Sequence, residues 1–186
     1  MNIIDSNLKF NSNHSERSGD PEAVVLHHAA ASSASVETVH GWHLDNGWAG
    51  IGYHFYVRKD GSVYRGRPES WLGAHTEGHN EKIGICAEGN FENETMPEAQ
   101  KKAITELLSY LFDKYGDMKV YKHKDLDSTA CPGKNYPFDS IVKAAKKEDV
   151  LYRVQCGAFR NLQNAELLRD ELRRKGYSDA FIVSGK

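Results

Sequence analysis

Short apolar runs and longer helical patterns alternate along most of the chain. Runs rich in β-branched and aromatic residues predict strands at 24–26, 51–57, 82–87 and 118–121. The turn sequence Lys59-Asp60-Gly61 follows the second run and predicts a hairpin with SVYRGR. Helical patterns cover 35–46, 96–115 and 138–147. Because strands and helices interleave, we expect an α/β fold with a single central mixed β-sheet flanked by helices.

Two of these helices carry recognisable start signals. Ser35 is a good N-cap for the first helix, because its hydroxyl can accept a hydrogen bond from a free backbone N–H. Thr95 and Glu98 match a capping box for the long helix, and Pro97 is tolerated in a first turn. The long helix then repeats apolar residues at helical spacing, which indicates a face buried in the core.

A second pattern begins near residue 148. The run LYRVQCGAF predicts a strand, residues 161–175 an amphipathic helix, and AFIV another strand. The sequence therefore predicts a domain over residues 1–147 and a small C-terminal β-α-β appendage over residues 148–186. A unit of this size is too small to close a core alone, so it belongs to something larger or self-associates.

Composition narrows the classes of function. A net charge of −2 gives no electrostatic basis for binding nucleic acid. No apolar run approaches the roughly 20 residues of a membrane span. The start MNIIDSNLKF lacks a basic segment followed by an apolar one, so we expect a protein made in the cytoplasm without a signal peptide.

The three cysteines are too few and too scattered to indicate a disulfide framework. Cys86 and Cys156 lie in apolar runs and are expected to be buried, whereas Cys131 lies in a polar loop. His27 and His123 each close a predicted strand, and Cys131 follows His123 by eight positions. Two imidazoles and a thiolate suit a catalytic zinc site, which uses three protein ligands and leaves one position for water. Spacing alone leaves metal binding open.

Four segments in this order resemble the type 2 N-acetylmuramoyl-L-alanine amidases, a zinc-dependent family that includes phage lysozyme-like amidases and peptidoglycan recognition proteins. They are VVLHHA, WHLDNGWAGIGYHFYVRKDG, GAHTEGHNEKIGICAEGNF and YKHKDLDSTACPG, and the likeness covers residues 20–145. The resemblance implies one Zn²⁺ held by His27, His123 and Cys131. Since side chains alternate along a strand, His28 is expected to face away from His27.

The resemblance also implies roles around the metal. Tyr53 matches a tyrosine that assists the reaction, and Thr129 falls where relatives carry lysine or threonine. His75 matches a position lining the cleft, and Trp42 and His43 are further candidates for substrate binding. One branch of the family has a catalytic glutamate where this chain has Cys86, and Glu88 is an outside candidate for that role.

The implied activity is metal-assisted hydrolysis of the amide bond between N-acetylmuramic acid and L-alanine in bacterial peptidoglycan. The alternatives are a module that recognises peptidoglycan without cutting it and a structural metal site in an interaction protein. Residues 152–183 resemble the first half of a SPOR-type repeat, a module that binds glycan strands stripped of peptide. Without a signal peptide, the enzyme is expected to reach the wall after release, as a phage or prophage endolysin does; the alternative is a bacterial autolysin exported by another route.

Overall fold

The computed structural model describes residues 1–11, 14–146 and 154–184, and six strands within them form one mixed sheet. The strands are β1 (Ile3–Asp5), β2 (Ala23–His28), β3 (Phe55–Val57), β4 (Val63–Arg65), β5 (Ile83–Ala87) and β6 (Lys119–Lys122). Their order across the sheet is β1-β4-β3-β5-β2-β6. β5 and β2 are both interior strands of this sheet, and they pair in parallel.

The pairing directions explain why the sheet is mixed. β2 also pairs in parallel with β6, and β5 with β3, whereas β3 and β4 form the predicted antiparallel hairpin. β1 pairs in parallel with β4 and was not predicted, because its three residues are too short to give a pattern of their own. The α/β class with a single central mixed sheet is confirmed.

The described residues form four α-helices. They are α1 (Val36–Asp45), α2 (Glu98–Tyr115), α3 (Phe138–Ala145) and α4 (Leu162–Arg174). The Ser35 side chain accepts a hydrogen bond from the backbone N–H of Thr38, so the predicted N-cap of α1 is confirmed. The predicted capping box of α2 is wrong, since the N-cap is Pro97 and no side chain caps the helix. The position before a proline disfavours helical dihedrals, which explains why Met96 lies outside the helix and Thr95 does not cap it.

Helices cover both faces of the sheet. α2 and α3 pack on the face that contains Val24, Leu26 and Ile85, and together they form the larger apolar core. α1 packs on the opposite face against a smaller cluster that includes Tyr56 and Cys86. Alternation along β2 therefore directs His28 to the α2 face, where its ring contacts Phe91. His27 is left on the α1 face.

The chain forms two compact units, Met1–Lys147 and Glu148–Lys186. In the second unit α4 is present, but residues 154–159 and 180–184 form no strand. Residues 151–153 of the first predicted strand lie outside the described residues. A strand needs a neighbour to satisfy its backbone groups, and residues 154–184 contain no other strand that could pair.

The same unit corrects the expectation for Cys156, which is exposed rather than buried. Within 154–184 no residue is buried, and several large apolar side chains of this unit are exposed, namely Val154, Phe159, Leu162, Leu167, Tyr177, Phe181 and Val183. No helix in the described part of the chain is long and apolar enough to cross a membrane.

Candidate metal centre and active site

Two histidines meet at the edge of the sheet where β2 and β6 end. The strands are parallel, and Leu26 lies opposite Lys122 in their register. A histidine follows each of these two residues in the chain. His27 and His123 therefore become neighbours, with ring centroids 4.4 Å apart. Strand register brings the two backbones together, and His123 begins the 3₁₀-helix His123–Asp125 that follows β6.

The loop after β6 returns Cys131 to the same edge. The backbone N–H of Lys124 donates to the carbonyl of Cys131 at 2.9 Å, which closes the loop. The Cys131 Sγ then lies 3.4 Å from the backbone nitrogen of His28 and 3.8 Å from Nδ1 of His27. Gly133 lets the chain pass, since its φ is +103° and an added Cβ would lie 2.5 Å from the carbonyl carbon of Phe91.

These three side chains fit a metal ion. One donor atom from each of His27, His123 and Cys131 lies within 4.8 Å of the other two. Nε2 of His123 is shielded from water without a hydrogen-bond partner, although the Asp127 carboxylate stands 3.5 Å away. Two nitrogens and one sulfur form a donor set that zinc accepts, and three protein ligands leave a coordination position free for water.

The protonation states in the protein also suit such a site. Burial, reinforced by the neighbouring His75 and His123, holds the pKa of His27 well below its ordinary value. Burial lowers the pKa of His123 as well, partly opposed by Asp127. Both imidazoles are therefore neutral near pH 7, as metal ligands must be. Burial raises the pKa of the Cys131 thiol to about 11, so a cation is needed to stabilise its thiolate.

His75 lies directly behind His27 rather than along an open wall. Its Nδ1 is 3.1 Å from Nε2 of His27, and its own Nε2 is 3.1 Å from the carbonyl oxygen of Lys82. Thr76 Oγ1 also lies 3.0 Å from the same Nδ1. Burial lowers the pKa of His75 to about 4, so this imidazole is neutral too.

Tyr53 packs beside both of these histidines, and its ring stacks on that of His75 with centroids 6.2 Å apart. Its ring centroid is 5.0 Å from that of His27, and its backbone carbonyl accepts a hydrogen bond from the N–H of Arg67. Burial, followed by the nearby thiols of Cys86 and Cys131, raises the pKa of the phenol well above its ordinary value. Tyr53 therefore keeps its proton at neutral pH and can act as a hydrogen-bond donor.

The remaining sequence-predicted residues occupy different surroundings. His43 lies beside Tyr53, with ring centroids 5.7 Å apart, and its Nδ1 accepts a hydrogen bond from the N–H of Gly52. Trp42 is 40% exposed on α1 and makes no ring contact with this cluster among the described residues. Thr129 is exposed, and its hydroxyl accepts a hydrogen bond from the backbone N–H of Cys131 at 3.2 Å.

Glu88, the outside candidate for a catalytic base, is already engaged elsewhere. Its buried carboxylate accepts hydrogen bonds from the Arg58 side chain and from the backbone N–H groups of Ala34 and Lys59. It therefore joins three segments of the fold. Cys86, at the other family position, is fully buried beside Tyr53.

Trp48, which the sequence offers with Trp42 and His43 as a candidate wall of a substrate groove, is 54% exposed and packs edge-on against His43, with ring centroids 5.0 Å apart. It extends the aromatic row that leads from Tyr53 to the surface. Sequence reasoning missed the contact between His75 and His27. The sequence feature that could have indicated this contact is the pair Gly73 and Gly84, because an added Cβ at either position would collide with the His75 ring.

Comparison with known proteins adds an independent line of information. Residues 17–134 match the family model described as N-acetylmuramoyl-L-alanine amidase, and residues 148–186 match the SPOR domain model. The endolysin of Enterobacteria phage T3 is 32% identical over 120 residues, which are 60% of this chain and 80% of that protein. Peptidoglycan-recognition protein SC2 of Drosophila melanogaster is 36% identical over 124 residues, covering 60% of this chain and 67% of that protein.

Two solved structures are similar to this chain in fold as well as in sequence. The N-acetylmuramoyl-L-alanine amidase LysC from Clostridium intestinale URNW superposes with a TM-score of 0.74 at 38% identity, covering 77% of this chain and 96% of that one. Drosophila PGRP-LB superposes with a TM-score of 0.67 at 27% identity, covering 75% of this chain and 92% of that one.

Proposed function

Since the chain belongs to the N-acetylmuramoyl-L-alanine amidase family and is a peptidoglycan amidase followed by a SPOR domain, we propose that its hydrolysis of the bond between N-acetylmuramic acid and L-alanine depends on one zinc ion. The observation that carries the proposal is the convergence of His27, His123 and Cys131, whose donor atoms lie within 4.8 Å of one another.

In this proposal the two neutral imidazoles and the Cys131 thiolate hold the ion. When bound, zinc supplies Lewis acidity that lowers the pKa of water and polarises the amide carbonyl. The backbone N–H of His28, 3.4 Å from Sγ, favours the thiolate because it offers a hydrogen bond to the charged form. The chain itself thus contributes ligands of fixed position and protonation.

Tyr53 supplies the hydrogen bond that stabilises the transition state. Negative charge develops on the carbonyl oxygen as the amide is attacked, and a preorganised donor lowers the energy of that charge. A phenol with a raised pKa is suited to donate and unsuited to act as a base. We therefore assign Tyr53 to the oxyanion.

The substrate would lie across the face that carries the aromatic row. His43 within this row, and Trp42 exposed outside it on α1, offer apolar surface with polar edges for the sugar and the peptide stem. His75 is accessible in part, but its contacts are with His27 and Lys82. Thr129 uses its oxygen to accept from Cys131, which leaves its own O–H free to donate to substrate.

The C-terminal unit would keep the enzyme on its polymer. We assign it to wall glycan, with self-association as a second role of its exposed apolar side chains. Tethering raises the local concentration of the active site at the wall without any new contact in that site. Endolysins are among the relatives, and we propose that this chain likewise meets the wall after release from the cytoplasm.

The test uses purified cell wall, with and without a chelator. We expect new free amino groups of L-alanine, their loss on chelation and their return when zinc is added back. New reducing sugars in place of amino groups would contradict the proposal, because they indicate cleavage of the glycan. Tight wall binding with neither product would mean that the chain only recognises peptidoglycan.

A further inference from the structure

We infer that His75 is a positioning residue, which sets the tautomer and orientation of His27 so that His27 offers Nδ1 to the metal. The inference rests on the zinc site proposed above, and it replaces the expectation that His75 mainly lines the substrate cleft. It follows from a relay of three groups: the Lys82 carbonyl, the His75 ring and the His27 ring.

The Lys82 carbonyl decides where His75 carries its proton. A carbonyl oxygen can only accept, and it lies 3.1 Å from Nε2 of His75. If Nε2 were bare, two acceptors would face each other at hydrogen-bond distance. Of the two uncharged tautomers of His75, only the one with its proton on Nε2 can donate to Lys82, and that tautomer leaves Nδ1 as an acceptor.

That assignment then determines the state of His27. Nδ1 of His75 is 3.1 Å from Nε2 of His27, and a bare Nδ1 needs a donor. His27 must carry its proton on Nε2, so its Nδ1 lone pair is free. That Nδ1 lies 3.8 Å from the Cys131 sulfur, on the side of the proposed metal. The free lone pair therefore points to the other ligands.

Thr76 does not reverse this order. Its hydroxyl oxygen is 3.0 Å from Nδ1 of His75, and a hydroxyl can rotate to donate or accept. As a donor it supports the same tautomer of His75, and a bare Nε2 on His27 would still set two acceptors 3.1 Å apart. As an acceptor it would require a proton on Nδ1, which would set Nε2 of His75 bare against the Lys82 carbonyl.

The fold also holds the His75 ring in place sterically. Gly73 and Gly84 lie against the imidazole, and a Cβ at either position would collide with the ring. Gly84 belongs to β5, in the centre of the sheet, and its N–H is held by the buried His54 at 3.0 Å. A ring confined in this way can orient a metal ligand, because partners that hold a ligand ring typically contribute tenfold to a hundredfold to metal affinity.

The experiment measures zinc affinity of the full chain by competition with a chromophoric chelator. His75→Leu removes the acceptor, and we expect zinc affinity to fall about tenfold to a hundredfold. His75→Asn places an amide oxygen where Nδ1 stood and should recover most of the loss. His79→Asn is the matched control, since His79 is a partly exposed histidine of the same loop and should leave the affinity unchanged.

The same variants are loaded with Co²⁺, whose visible spectrum reports the geometry of its ligands. We expect an altered spectrum for His75→Leu and a spectrum near wild type for His75→Asn. A folded His75→Leu protein with wild-type zinc affinity and an unchanged cobalt spectrum would overturn the inference and return His75 to the cleft wall.

A measurement on the unaltered protein covers the case in which His75→Leu fails to fold. Nitrogen-15 NMR of the zinc-loaded chain distinguishes the two tautomers, and we expect the proton on Nε2 of both His75 and His27. A proton on Nδ1 of His75 would refute the relay. These readouts are separate from wall hydrolysis, so a zinc protein with this relay but no amidase activity would refute only the proposed function.

Discussion

Cys131 and Cys156 show how far the surroundings of a residue determine its chemistry. Cys131 is 9% exposed and faces two imidazoles, whereas the thiol of Cys156 is exposed in the second unit. The apolar run around Cys156 wrongly predicted a buried thiol, and the polar loop around Cys131 gave no sign of the burial of that residue. A local sequence pattern describes only the residues that are adjacent in the chain. Whether a cysteine can act as a metal ligand depends on which side chains the fold brings close to it.

Cys131→Ser should remove stoichiometric zinc and reduce wall hydrolysis by about 100-fold or more, since a hydroxyl is a far poorer zinc ligand than a thiolate. Elemental analysis of the purified protein and the amino-group assay measure the two effects. Cys156→Ser is the matched control and should keep both at the wild-type level. Equal zinc content in the two variants would refute the ligand assignment.

Tyr53→Phe should leave zinc content unchanged and lower kcat about 100-fold to 1,000-fold, because it deletes one oxyanion donor while keeping the ring that packs on His27. Steady-state kinetics on a soluble muramoyl-peptide, with metal analysis alongside, separate the two readouts. A rise in KM with unchanged kcat would instead place the phenol in ground-state binding.

At the scale of elements, Glu88 connects the end of β5 to the segments before α1 and after β3. Burial alone would raise the pKa of its carboxyl, but hydrogen bonds from Arg58, Lys59 and Ala34 hold that pKa below its ordinary value. A carboxyl with a lowered folded pKa stabilises the fold above its unfolded pKa, and the contribution is lost as pH falls through the folded value.

Glu88→Gln should therefore lower the free energy of unfolding by about 1–3 kcal/mol at pH 7. The difference from wild type should shrink as the pH falls from the unfolded pKa through the lowered folded pKa of Glu88, because the wild-type carboxyl becomes neutral as well. Urea unfolding at several pH values measures it. The exposed Glu98→Gln on α2 should change stability by less than about 0.5 kcal/mol. A constant difference at every pH would show that the charge is not the cause.

The secondary-structure elements also show which features a sequence pattern can predict. Ser35 predicted the start of α1 because an N-cap acts within four residues of its own position. The β3–β4 hairpin was predictable because its turn is formed by residues adjacent in the chain. β1 was missed because Ile3–Asp5 becomes a strand only through its pairing with β4. The relay from Lys82 through His75 was equally out of reach, since it depends on how a loop folds back onto β2.

At the scale of the whole molecule, the two units differ in how they are stabilised. Both apolar clusters lie within the first unit, whose core is closed by α1, α2 and α3 around the sheet. The described part of the second unit buries nothing and exposes apolar side chains on and around α4. We therefore expect the first unit to fold alone and the second to depend on a partner.

Deleting residues 148–186 should leave the melting temperature of the remaining chain within a few degrees of the full-length value, and activity on soluble muramoyl-peptides intact. Binding to purified glycan and any concentration-dependent association should fall. Calorimetry, co-sedimentation with glycan and analytical ultracentrifugation test the three expectations. Glycan binding that survives the deletion unchanged would reject the role given to the second unit.

The position of β6 at the rim of the sheet carries a final consequence. Its described pairing is with β2 alone, so His123 is attached to a strand secured on one side, while His27 sits on a strand secured on both. Detachment of that outer strand would carry one ligand away while the other kept its place. A bound ion would then hold the edge strand β6 against β2. Loss of the ion would begin with local fraying of β6 rather than with unfolding of the whole protein.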